Sequence, residues 1–154
     1  MATVELRFGA FPAHVRTARL VAAAVARRSG IDSALIDEVK LAVGEACARA
    51  LALHQKHAPG QQVVIELREG VDDFVVIVRD CGPPDPVGQI PAARSADLPM
   101  LVESIIGADE SEPMGAPLQL ALIAGLVDEL QVDRAADRTA VRMRWALPAE
   151  RVSP

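Results

Sequence analysis

The stretch DEVKLAVGEACARALALH, residues 37–54, decides the reading of this chain. Val39, Ala42, Val43, Ala46, Ala50 and Leu53 recur every three or four residues, the period of one helix face. Leu35 extends the stripe backward, and Asp32 or Ser33 stands where a side-chain oxygen can cap a helix N-terminus. Glu45 and Arg49 lie four residues apart on this helix and share a face. Two readings need that spacing. One is a solvated ion pair worth about 0.3–0.5 kcal/mol; the other is a chemical site.

Upstream, TVELRF (residues 3–8) alternates apolar and polar, with Val4, Leu6 and Phe8 on one face of a half-buried strand. Pro12 suits the first turn of a helix and Gly30 its end. Between them Val15, Ala18, Ala22, Val25 and Ala26 form an apolar stripe, with Arg16, Arg19, Arg27 and Arg28 mostly away from it. Downstream, HQKHAPGQ (residues 54–61) is a polar connection. VVIELRE (63–69) and FVVIVRD (74–80) then read as two strands joined by the turn GVDD.

From Cys81 to Ala116 the texture changes, with six prolines, four glycines and at most one short helix near Leu98–Ile106. So long a weakly patterned segment inside a compact domain is usually functional or disordered. PLQLALIAGLVDEL (117–130) restores a helix opened by Pro117, and QVDR and TAVRMRWAL close the pattern as a strand pair. The order β-α-α-β-β-loop-α-β-β predicts an α+β two-layer sandwich. A mainly antiparallel sheet carries the helices of residues 12–29, 33–54 and 117–129 on one face.

A chain of 154 residues is the size of one domain, expected over 1–150, with a lid-like loop at about 81–116. Half the residues are hydrophobic, yet only four are Phe or Trp, so small-residue helix contacts are expected. A formal charge of −5 and no basic stripe argue against nucleic acid as a partner. No apolar run reaches about 18 residues, so no membrane span is expected. The N-terminal MATVELRFGA lacks the pattern of a secretion signal. Cys47 and Cys81 are too few for a zinc cluster or disulfide framework, which suits a reduced cytoplasmic protein. His54 and His57 fall at a helix end, where a structural role outweighs a metal role.

Taken together, the strand ending in Asp80, the long loop and the Gly-containing turn into a late helix resemble the GHKL (Bergerat-type) ATP-binding fold. More narrowly, the chain resembles the anti-sigma factors and serine kinases of bacterial partner-switching modules. The likeness covers nearly the whole chain and is strongest over RTARLVAAAVARRSGIDSALIDEVKLAVGEACARA (residues 16–50). The resemblance implies that Glu45 matches a general base acting on a partner's serine hydroxyl. It puts Arg49 where the family has an Asn that ligates Mg²⁺ beside the ATP phosphates. A guanidinium has donors and no acceptor, so it cannot ligate a hard cation.

In the same resemblance Asp80 matches the carboxylate that accepts from the adenine amino group, and Gly82 the first glycine of that turn, with Pro84 replacing the second. Gly115 and Leu118 match the phosphate-cradling turn, although Pro117 has no N–H to offer. Thr139 matches an adenine-pocket threonine, preceded by Arg138 where a glycine is usual. Arg19 coincides with a first-helix arginine used at the family's partner surface. The contacts to adenine survive, whereas those to metal and phosphate are altered at three points.

These matches imply an anti-sigma-type regulator that binds a sigma factor, a STAS-domain anti-anti-sigma antagonist, or both. A homodimer through the small-residue first helix is also compatible. ATP or ADP is expected to bind weakly and independently of Mg²⁺, with Arg49 facing the phosphates. The alternative is an active ATP-dependent protein serine kinase that phosphorylates the antagonist.

Overall fold

The computed structural model describes residues 2–82, 93–94, 115–135 and 138–148. Strand β1 (Ala2–Phe8) turns at Gly9, whose carbonyl accepts from the Phe11 N–H at 2.8 Å. Helix α1 (Pro12–Ser29) opens on a proline, whose missing N–H would have had no helical partner there. It closes on Gly30 at φ 93°, a left-handed conformation that only glycine adopts at little cost.

Asp32 does cap, but it caps a 3-10 turn. Its Oδ1 accepts from the Ala34 N–H at 3.0 Å, opening Ser33–Leu35, and α2 (Ile36–His57) follows. Residues 55–57, expected in the polar connection, form the last turn of α2 instead. Strands β2 (Val63–Glu69) and β3 (Asp73–Asp80) form the expected hairpin, with the Gly70 N–H donating to the Asp73 carbonyl. A two-residue strand, β4 (Ala93–Arg94), lies within the long segment and was not foreseen. The helix expected near Leu98–Ile106 falls outside the described residues.

Helix α3 (Gly115–Leu126) stops short of the expected residue 129, because Glu129 already begins β5 (Glu129–Ala135). The reason is capture by the last strand, β6 (Arg138–Ala146). The Asp128 N–H donates to the Arg144 carbonyl, and Asp128 Oδ2 accepts from the Ala146 N–H at 2.7 Å. Those bonds outweigh the helical pattern of VDEL.

The strands form a six-stranded sheet in the order β1-β2-β3-β6-β5-β4, antiparallel at every junction. One face meets the helices. Val63, Ile65 and Leu67 of β2, Phe74, Val76 and Val78 of β3, and Val141, Met143 and Trp145 of β6 pack with the alanine-rich faces of α1 and α2. The other face carries charge. Val75 and Ile77 point there yet are only 3% and 5% exposed, flanked in the ladder by Arg68 and Arg144, and by Glu66 and Arg142. Long polar side chains cover apolar surface with their stems while their heads stay wet. Glu66 pairs with both Arg68 and Arg79, and Asp73 with Arg144, so a third layer is unnecessary.

Among the described residues no helix is long and apolar enough to cross a membrane. Trp145, the one tryptophan of the chain, sits 1% exposed, 5.9 Å from the Phe74 ring, and donates from Nε1 to the Leu126 carbonyl at 3.1 Å. It ties the end of α3 to the sheet. Trp145→Ala should therefore lower unfolding free energy by about 3–5 kcal/mol, read from urea denaturation followed by circular dichroism.

Candidate functional site

Strand alternation fixes the floor of the site. Asp80 shares parity with Phe74, Val76 and Val78, so it faces the helices, and Thr139 does the same on β6 with Val141 and Met143. The register sets Asp80 directly opposite Thr139. Two polar groups thus stand at the helix-covered end of an otherwise apolar floor. Asp80 is 2% and Thr139 1% exposed. The Thr139 hydroxyl is buried with no hydrogen-bond partner among the described residues.

Helix α2 crosses above them. From it Arg49 reaches down and donates from Nη1 to Asp80 Oδ2 at 3.1 Å, both side chains being sealed from solvent at 2% and 0% exposure. The other carboxylate oxygen accepts from the Gly82 N–H at 3.0 Å, an Asx-type turn at the strand end. Gly82 is required there by closeness: a Cβ on it would stand 2.9 Å from Leu53 Cβ of α2. Arg49 is therefore not in a solvated pair with Glu45. The sequence reading also turns it toward phosphates, whereas the structure turns it inward to Asp80.

One further turn along α2, His54 is fully buried and bonded at both ring nitrogens. Nε2 accepts from the Cys81 N–H at 2.8 Å, which leaves Nδ1 to donate to the Gln61 carbonyl at 3.0 Å. The ring is thereby fixed as the neutral Nδ1–H tautomer, and it laces the end of α2 to the approach to β2 and to the first residue after β3. His57 is exposed. A cleft of about 340 Å³ lined by Ala58, Gln61, Cys81 and Arg138 opens beside this end. It does not include Arg49 or Asp80. Cys47, on α2, is buried in the core, and burial pushes its thiol up to about 12, so it is chemically inert.

Toward the start of α2 the chemistry is different. Glu45 is half-buried, and its Oε2 accepts from Gln119 Nε2 of α3 at 2.9 Å. Gln119 was not singled out by sequence; its place next to Leu118, one turn into the last helix, is the signal that could have found it. Immediately before Glu45, Gly44 lets Arg19 of α1 lie across α2, since a Cβ there would stand 2.8 Å from Arg19 Cδ. Arg19 is exposed, as are its neighbour Leu20 (56%) and Leu41 (42%), the latter one turn before Gly44. Gly115 opens α3 and Leu118 lies in its first turn, but their side-chain surroundings, like Pro84, lie outside the described residues.

Over residues 8–145 the chain matches the family model of the histidine kinase-like ATPase domain. The chain belongs to that family. Its fold is of the GHKL type. No curated protein matches the chain.

Membership makes nucleotide and Mg²⁺ the groups against which this site must be tested. The metal does not fit: the α2 position that would supply an oxygen carries a guanidinium, which has only donors. Among the described residues no cluster of three His, Cys, Asp or Glu side chains could hold a metal either. The carboxylate that would read a base's amino group, Asp80, is bonded to Arg49 and to the Gly82 N–H. The Thr139 hydroxyl, opposite Asp80, has no hydrogen-bond partner among the described residues.

Burial pushes the Asp80 carboxyl above its ordinary value; the Arg49 charge, the Gly82 N–H and the Arg49 hydrogen bond pull it back without cancelling the effect. A carboxyl raised by folding contributes stability that is complete below its unfolded value, about 3.9, and lost as pH rises through its folded value. Arg49→Met removes the strongest opposing cause and raises Asp80 further. The stability deficit of the variant should be small near pH 4 and grow toward pH 7, measured by urea titration at both. At neutral pH, Asp80→Asn should cost about 3–5 kcal/mol, because it leaves a buried guanidinium without its opposite charge.

Proposed function

We propose that this domain is an anti-sigma-type regulator that acts by holding a protein partner, a sigma factor or a STAS-domain anti-anti-sigma antagonist. Nucleotide binding is weak or lost. The observation that carries the reading is the contrast between the two ends of the site on α2. Where the ATPase family binds nucleotide, Arg49 and Asp80 are sealed against each other. Where a partner can reach, Arg19, Leu20, Leu41 and Glu45 remain on the helix surface, with Gly44 allowing Arg19 to lie flat. Exposed apolar side chains beside an arginine are the ingredients of a protein contact.

The active serine kinase is the second reading, and the position of Glu45 favours it. Its carboxylate accepts a hydrogen bond from Gln119 and, among the described residues, no ion pair engages it, so it could still accept a serine proton. Phosphoryl transfer rests on positioning and neutralising the phosphates, however, and Arg49 is engaged elsewhere. Incubation with a STAS-domain partner, ATP and Mg²⁺ separates the two: transfer of phosphate to a partner serine would establish the kinase.

Arg19→Glu should weaken capture of the true STAS-domain or sigma-factor partner by tenfold or more. A charge reversal at a buried interface arginine costs several kcal/mol. The melting temperature should hardly move, because Arg19 is exposed. Unaltered binding would remove Arg19 from the partner surface.

A further inference from the structure

The base pocket of this ATPase fold is not simply decayed. We infer that Arg49 is its internal ligand, a specificity-determining residue that presents to Asp80 the N–H donor a nucleobase amino group would present. The inference rests on family membership and deepens the part of the proposed function that concerns nucleotide.

Three observations converge on it. First, the guanidinium comes from the same face of α2 as Glu45 and descends to Asp80 instead of spreading over the helix surface, so its path crosses the space between helix and floor. Second, both carboxylate oxygens are engaged, Oδ2 by Arg49 Nη1 and Oδ1 by the Gly82 N–H. Third, the surroundings of the pair are not aliphatic alone. Thr139 stands opposite Asp80 with a buried hydroxyl lacking a partner among the described residues, and Gly82 is pressed against Leu53 where a Cβ would not fit. A planar, donor-rich group lies against a carboxylate at the bottom of a dry site. A guanidinium supplies that chemistry as well as an aminopurine edge does.

An adenine entering this pocket must displace Nη1 from Oδ2. It would leave a charged guanidinium buried without its carboxylate, so exclusion follows from the pair itself. Removing the arginine should restore a pocket selective for a base that carries an amino group. The gain is about 100-fold or more in affinity, the scale of losing one partner of a buried ion pair.

The test is direct binding of ADP, without metal, to the wild-type chain, Arg49→Asn and Arg49→Ala, by calorimetry and thermal shift. Inosine diphosphate, in which a carbonyl replaces the amino group, serves as the base control. The wild type should show no saturable binding at millimolar ADP. Arg49→Asn should bind ADP at least tenfold more tightly than inosine diphosphate, and adding Asp80→Asn should abolish that preference. Methylguanidinium should raise the melting temperature of Arg49→Ala, compete with ADP for it, and leave the wild type unchanged. Wild-type binding of ADP within threefold of Arg49→Asn would overturn the inference, and this arm needs no variant to fold if ADP saturates the wild type at micromolar concentration. Binding by the variants with no preference for the amino group would overturn it equally. Capture of a STAS-domain or sigma-factor partner by the wild type, measured without nucleotide, is scored separately. Its failure would remove the regulatory reading while leaving the pocket result standing.

Discussion

Helix α2 can lie only as close to its neighbours as its smallest side chains allow, and that closeness governs the molecule. Ala42, Ala46 and Ala50 are fully buried between α1, the sheet and α3, where larger residues would hold the layers apart. Gly44 takes Arg19 across its surface, and Gly82 meets Leu53 from below. The Arg49–Asp80 pair crosses between α2 and the sheet with its side chains only 2% and 0% exposed. From this helix Arg49 reaches Asp80, and His54 reaches both Gln61 and Cys81.

The buried ion pair is then an energetic obligation rather than a source of great stability. Desolvating a guanidinium and a carboxylate costs about as much as their attraction returns, so such a pair contributes little over an apolar substitute of the same shape. Breaking it from one side is what costs. That asymmetry gives the end of the sheet a single permitted arrangement: Asp80 must meet Arg49, Gly82 must close the turn, and the chain must leave β3 past His54. The charged open face works by a looser rule. Its arginines are exposed or half-exposed at their heads, so Glu66, held below its ordinary value by Arg68 and Arg79, contributes through small surface terms; Glu69, on the helix side, is held down in the same way by Arg28 of α1.

Periodicity made the layers legible. The stripes of α1 and α2, the alternation in β1 and β6 and the punctuation by Pro12 and Gly30 are local signals, and the structure uses each of them. What periodicity could not carry are the decisions made between distant residues. The ends of α2 and α3 were displaced because His54 is recruited by Gln61 and Cys81, and Asp128 by Arg144 and Ala146. Residues Glu45, Arg49, Asp80 and Thr139 stood out one by one through their motif positions. The pairing of Arg49 with Asp80, 31 positions away, depends on a strand register and a helix height that no local window contains. Gln119 escaped notice for the same reason, its partner being 74 positions distant.

The tether between Arg49 and Asp80 has a kinetic meaning of its own. A diffusing ligand occupies its site according to how much of it is present, and leaves when it is diluted. A side chain is carried by the same polypeptide, so its contact is unimolecular and its local concentration is fixed by covalent geometry. Dilution does not alter that occupancy; a movement of α2 relative to β3, or protonation of Asp80, does.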